Sequence, residues 1–262
     1  MTRLKQLSRR NKIALGLLVA LLAAGAGMYV WLFSGLPSID RLKEGFALPS
    51  TRIYDRHGRL LYEILPPQQG RNVTIAFEDM PQHCINAVIA TEDANYYAHI
   101  GVDLNGILRA LWINVQGGEV LAGGSTITQQ LARTLLLDPQ QRAERTLERK
   151  LKEAILAVQL QSRYSKDDIL AMYLNQVYFG NLAYGLEAAS RAYFDKPAQY
   201  LSLAECALLG GIIQNPALHD PLNNPESARA RQEVTLNLMA QNGYISAADV
   251  TYRAVLLWYQ KP

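Results

Sequence analysis

Residues 13–33 form a run of 21 residues with neither a charge nor a proline, which as a helix is long enough to cross a hydrocarbon core of about 30 Å. Five cations precede it, Arg3, Lys5, Arg9, Arg10 and Lys12, with no acidic residue among the first twelve positions. After it come Ser38 and Asp40. Cations gather on the cytoplasmic side of a membrane span. The sequence therefore predicts a cytoplasmic basic tail over 1–12, a transmembrane anchor over 13–33 and an extracytoplasmic remainder. A cleaved signal peptide competes, and the small residues Ala23, Ala24 and Ala26 would suit it. Its apolar region is usually only about 7 to 15 residues long, and Tyr29 and Trp31 suit an interface better than a cleavage site.

The anchor also accounts for the charge. The chain has 26 Lys and Arg against 23 Asp and Glu; without the five leading cations the balance is 21 against 23, a formal −2. That argues against a broad basic footprint, so no nucleic-acid partner is expected. With 49% hydrophobic residues and 11 prolines in 262, the chain is neither disordered nor collagen-like and has enough apolar material for a substantial core. Cys84 and Cys206 each lie in an apolar segment with helical patterning and read as two buried free thiols. His57, His83, His99 and His219 have no ligand spacing to one another or to a cysteine. A zinc site is not expected, and any metal would be held by oxygen.

Residues 34–75 read as a juxtamembrane connector with a hairpin, its strands at 51–54 and 59–64 around Asp55-Arg56-His57-Gly58, ended by Pro66, Pro67 and Gly70. From Pro81 onward the pattern is helical, over 81–93, 103–115, 125–136, 142–161, 166–176, 186–193, 201–214 and 225–242. Thr126 with Gln129 and Ser165 with Asp168 have capping-box spacing, and Pro81 and Pro225 suit first helical turns. The predicted fold class is mostly α, with the main domain over 76–242 and a C-terminal extension over 243–262. Residues 154–160 are apolar nearly all round, which predicts that 142–161 is the central helix.

Ile85, Ile89 and Glu92 stand at i, i+4 and i+7, so a carboxylate continues an apolar stripe at a helix C-terminus. Desolvation and the negative helix end would both raise its pKa, as a general base or acid requires. A Glu capped by a neighbour such as His99 is the plainer reading. The segment from Gly123 through Gln130 places two glycines and several hydroxyls at a helix start, which favours an anion. It lacks the Gly-Lys-Ser/Thr ending of a Walker loop. Arg145, Arg149, Lys150 and Glu153 share one side of the 142–161 helix, with Arg149 and Glu153 spaced for an ion pair. Leu104, Ile107, Leu108, Leu111, Trp112 and Val115 form an apolar stripe that would ordinarily be core, or, beside a bilayer, a lipid-facing surface.

The run Glu92-Asp93-Ala94-Asn95-Tyr96-Tyr97-Ala98-His99-Ile100-Gly101 resembles the Glu-Asp-x-x-Phe-x-x-His-x-Gly motif of the peptidoglycan glycosyltransferases, which occur alone or as the first domain of class A penicillin-binding proteins. Residues 123–130 resemble the second motif of that family, 145–153 its Arg-Lys-x-x-Glu motif and 165–180, with Tyr173-Leu174-Asn175 and Tyr178-Phe179-Gly180, its fourth. Tyr96 replaces the usual Phe, Arg133-Thr134 stands where Lys-Asn is common, and Ala171 stands where Glu is common.

The resemblance implies a lysozyme-like, mostly helical domain that polymerises lipid II, a disaccharide-peptide on a polyprenyl pyrophosphate, into β-1,4 glycan. It implies Glu92 and Glu153 as the catalytic carboxylates. Substrate would be bound by Asp93, His99, Gly124, Ser125, Thr126, Gln129, Gln130, Arg133, Arg145, Arg149, Lys150, Asn175 and Tyr178, with Mg²⁺ or another divalent cation as a candidate cofactor beside Glu153. The implied partners are lipid II, the growing glycan strand, membrane lipid and other cell-wall synthesis proteins such as a transpeptidase. No Ser in the chain has Lys three residues later, so the Ser-x-x-Lys nucleophile of a transpeptidase is missing and crosslinking is not expected of it.

Overall fold

The computed structural model describes residues 9–40, 42, 51–65, 70–117 and 124–253. The first residues of the basic tail, Pro66, Pro67, Gly118, Gly123 and 254–262 lie outside the described residues, as do the side chains of Leu111 and Val115. Helix α1 (Arg9–Phe33) carries the apolar run as one element. From Arg10 to Phe33 it is long and apolar enough to cross a membrane, and its most apolar stretch is not buried by any of the described residues.

Strands β1 (Thr51–Tyr54) and β2 (Leu60–Ile64) form the predicted hairpin, pairing antiparallel and pinned by an Arg52–Glu63 ion pair of 2.8 Å. Described residues on either side of the hairpin are built into the domain. Ile39 and Leu42 are buried in the main core, and Asp40 pairs with Arg163. Strand β3 (Arg71–Asn72) runs parallel to β4 (Ala183–Tyr184). Nothing but glycine fits at Gly70, where a Cβ would come within 2.0 Å of the Leu182 carbonyl oxygen.

The domain is mostly α, as predicted: α2 (Gln82–Glu92), α3 (Leu104–Gly117), α4 (Ile127–Leu136), α5 (Pro139–Ala143), α6 (Leu147–Arg163), α7 (Lys166–Gln176), α8 (Leu186–Phe194), α9 (Leu203–Ile212), α10 (Pro225–Gln241) and α11 (Ala247–Arg253). The capping boxes predicted at Thr126 and Ser165 both form. The segment read as one helix over 142–161 is two. Asp138 caps a short helix with Pro139 in its first turn, and Thr146 then restarts the chain by accepting from the Arg149 amide. Two N-caps eight residues apart cannot belong to one helix.

The central helix is α9, not α6. Every residue of α9 except Glu205 is buried, and α2 and α10 pack against it. Gly210 permits the close approach of α2, since a Cβ there would sit 3.1 Å from the Ala87 backbone. Helix α6 buries Glu153, Leu156, Ala157 and Leu160 and leaves Val158 exposed; its apolar run covers a domain face and does not traverse the interior. The two cysteines are not free thiols. Cys84 on α2 and Cys206 on α9 face each other with Cα atoms 4.4 Å apart and form a disulfide.

Candidate active site

Helix α2 buries Ile85 and Ile89, and the same stripe ends on Glu92, half-buried at the last helical residue. Its Oε2 accepts a hydrogen bond of 2.7 Å from the Gln130 side-chain amide on α4. The Gln130 Oε1 in turn accepts from the Tyr173 hydroxyl on α7 at 3.0 Å. Desolvation raises the Glu92 pKa above the usual carboxylate value; the Gln130 bond and the charges of Arg231 and Arg133 pull it back, while Asp93 adds to the rise. Tyr173 is buried, and desolvation pushes its pKa well above the ordinary phenol. It therefore remains a donor and fixes which end of Gln130 meets Glu92. His99 does not cap Glu92: it is bound to Asp93.

That Asp93–His99 pair belongs to a rigid knot. His99 Nδ1 accepts from the Gly101 amide at 3.1 Å, so Nε2 carries the proton and donates to the Asp93 carboxylate at 2.9 Å. Asp93 also accepts from the Ile127 amide at the start of α4, at 3.1 Å. Thr126 donates to the Gly101 carbonyl at 2.6 Å and exchanges hydrogen bonds with Gln129 in its capping box. Gly101 has a positive φ of 99°, and a Cβ there would meet the Ala157 carbonyl oxygen at 2.7 Å. Asp93, His99, Thr126 and Gln129 thus lock the end of α2 to the start of α4 and hold Glu92 in place.

Glu92, Gly124 and Ser125 line one cavity of about 380 Å³, to which α3 contributes Arg109 and α10 contributes Gln241, with Asn242 just past its end. The cationic group borders it. Lys150 Nζ donates to Ser125 Oγ at 2.6 Å and to Glu153 Oε2 at 2.9 Å, and Arg149 Nη1 donates to Glu153 Oε1 at 2.5 Å. Glu153 is 1% exposed, so its charge is compensated by two cations, as a buried carboxylate requires. Lys150 keeps a 40% exposed side chain and a third donor proton.

Each Glu153 oxygen holds a cation, and the described residues contain no group of three His, Cys, Asp or Glu side chains able to hold a metal. As placed here, Glu153 leaves neither oxygen open to a divalent cation.

The remaining predicted residues divide. Arg133 and Tyr178 line a second cavity of about 230 Å³ on the other side of Gln130 and Tyr173. Arg145 falls in the exposed break between α5 and α6 and takes no part in the Glu153 cluster. Asn175 is committed to structure: its side chain donates to and accepts from the Ile75 backbone, both at 3.0 Å, and its own carbonyl accepts from Asn72. The apolar stripe is not core where it is described, since Leu104, Leu108 and Trp112 are 65–70% exposed. Sequence reasoning missed Arg231 on α10, whose charge reaches Glu92 from a helix outside all four motifs; no spacing rule links the two positions.

The chain matches the family described as Transglycosylase over residues 57–240. It is 41% identical to penicillin-binding protein 1A of Aquifex aeolicus over 239 residues, 90% of this chain and 32% of that protein. It is 39% identical to penicillin-binding protein 1A of Escherichia coli over 228 residues, 86% of this chain and 26% of that one. The chain thus spans about a third or less of these relatives' length. The crystal structure of penicillin-binding protein 1A from Haemophilus influenzae is similar with a TM-score of 0.45 and 22% identity, covering 79% of this chain and 20% of that one. The family match covers well over half of the chain and includes α2, α4 and α6, which build the cleft. The chain belongs to the transglycosylase family, that of the peptidoglycan glycosyltransferases its four motifs resemble.

Proposed function

We propose that the protein polymerises lipid II into β-1,4 glycan strands, with release of polyprenyl pyrophosphate. One observation carries the reading: a half-buried carboxyl with raised proton affinity shares a cavity with Ser125, whose hydroxyl is held by Lys150. Glu92 takes the proton of the acceptor 4-hydroxyl as that oxygen attacks the anomeric carbon of the growing chain. Its second oxygen is free of Gln130 and serves as the acceptor. A pyrophosphate leaving group needs little protonation and much charge stabilisation. Lys150 supplies it, held beside the cavity by Ser125 and Glu153 with a third donor proton to spare. A direct displacement inverts the α-linked donor to a β-linkage. Detergent-solubilised protein incubated with labelled lipid II tests the reading: polymer supports it, cleaved glycan points to a lysozyme-like hydrolase, and an unchanged substrate points to a scaffold.

The cation can be tested separately. Lys150→Ala lowers turnover of the pyrophosphate-linked donor, whereas Lys152→Ala does little, because Lys152 is engaged by Glu148 at 2.7 Å on another side of α6. Steady-state rates and melting temperatures of both variants check this; equal losses would mark a general weakening of the helix.

The same reading places α1 across the membrane with the domain outside, and the exposed face of α3 at the lipid surface. Leu104, Leu108 and Trp112 present an apolar strip beside the cleft, suited to an interface. In a variant with Phe at Trp31 and Trp258, Trp112 fluorescence shifts to the blue on adding bilayers and is quenched by lipid-borne quenchers. Trp112→Asp reduces use of long-chain lipid II more than of a short-chain analogue. Absence of lipid quenching would place the strip against protein instead.

A further inference from the structure

Arg231 lies on α10, with its Cγ only 2.9 Å from where a Cβ on Gly211 would be, so its stem runs over the glycine end of α9. The neighbouring residue of that helix, Gly210, accepts a hydrogen bond from Thr91, adjacent to Glu92 in the chain. The stem of Arg231 thus lies against the same end of α9 that Thr91 bonds, and its charge acts on Glu92, yet the two form no ion pair. Nor does another carboxylate engage it among the described residues. Glu233, two positions on, pairs with Arg229 at 3.5 Å, and the buried Arg231 Nε has no hydrogen-bond partner.

A half-buried cation whose Nε is out of water and unpartnered carries a desolvation cost, and the carboxylate whose charge it meets is that of Glu92. We propose that Arg231 is a positioning residue that holds Glu92 as a carboxylate, ready to accept a proton, without bonding to it. The proposal rests on the glycosyltransferase reading. A direct ion pair would tie up the oxygen that must accept the substrate proton; a cation set back from it opposes desolvation and leaves that oxygen free. The other groups around Glu92 are Asp93 at the cap of its own helix, Asp103 and Arg109 across the cavity, Gln130 and Arg133 on α4 and Tyr173 on α7. His219, bound to Ser227 at 2.9 Å, faces Arg231 itself, and burial lowers its pKa. Its own titration is controlled for by His219→Gln.

The test is the pH–rate profile of polymerisation by the full chain in detergent, for wild type, Arg231→Met, Arg231→Gln and Arg231→Lys. Two neutral replacements are used so that one unfolded variant does not end the comparison. Both neutral variants move the acid limb up by about one pH unit, with roughly tenfold slower turnover below it and recovery towards wild type on the alkaline side. Lys restores the limb, and His219→Gln leaves it in place. A uniform loss at every pH, or no rescue by Lys, overturns the proposal. A ¹³C-carboxyl titration of Glu92, assigned with Glu92→Gln, reads the same shift without activity. If wild type makes no polymer the function reading fails, and this titration alone decides whether Arg231 controls the carboxyl; an unmoved midpoint would end the idea.

Discussion

Glu92→Gln lowers polymerisation by about 10² to 10⁴-fold, the usual contribution of a general base, while the fold and lipid II binding stay near wild type. The amide keeps the shape of the side chain and still offers an oxygen to Gln130, so the bond of 2.7 Å survives. It cannot take a proton from the attacking hydroxyl. Turnover of labelled lipid II, binding by the same preparation and thermal unfolding together check the result. Activity within a few-fold of wild type would remove Glu92 from the chemistry and leave the cleft as a binding site only.

The second large effect concerns the staple between α2 and α9. Cys84 and Cys206 close a loop with a sequence separation of 122 and are 1% and 0% exposed. Losing a native disulfide typically costs about 2 to 5 kcal/mol, larger loops standing towards the upper end. The Cys84→Ala/Cys206→Ala double variant should lose stability in that range in denaturant titrations of the full chain. It should also lose activity before it unfolds, because α2 carries Glu92. Alkylation supplies the control. Wild type denatured without reductant takes up no label, and two labelled cysteines per chain under those conditions would disprove the bond.

What could be read from the sequence was local. The capping boxes at Thr126 and Ser165 need only a three-residue spacing, and Glu92 declared itself because its place at i+7 from Ile85 is a property of one helix. The mostly helical class came from the same periodicity, and the lysozyme-like expectation from the resemblance alone. What escaped required a partner elsewhere in the chain. Nothing within 20 residues of Cys84 signals Cys206, and nothing near Glu92 signals Arg231. Asn175 sits in a motif and so invited a substrate role, but its amide closes on Ile75 from 100 residues away. The break between α5 and α6 is the exception that was legible: Asp138-Pro139 and Thr146 are two start signals, and the apolar run after them obscured the second. That same run suggested a central helix, a place that belongs to α9, whose small residues admit its neighbours.

The anchor helix does not end in a tether. Phe33, Leu36 and Ile39 meet Gln159 and Arg163 of α6 around one cavity, Asp40 pairs with Arg163, and Ile39 and Leu42 enter the core. A domain seated on its own stem cannot swivel like a float on a line. On the proposed reading, with the stem in a bilayer and a polymer leaving the cleft, any drag on the domain is transmitted as torque to the stem and resisted by the bilayer. The height of the cleft is then a fixed property of the protein, set like the reach of a bracket by the few residues between Phe33 and Leu42. Lengthening that stretch changes the working distance without touching a single residue of the site.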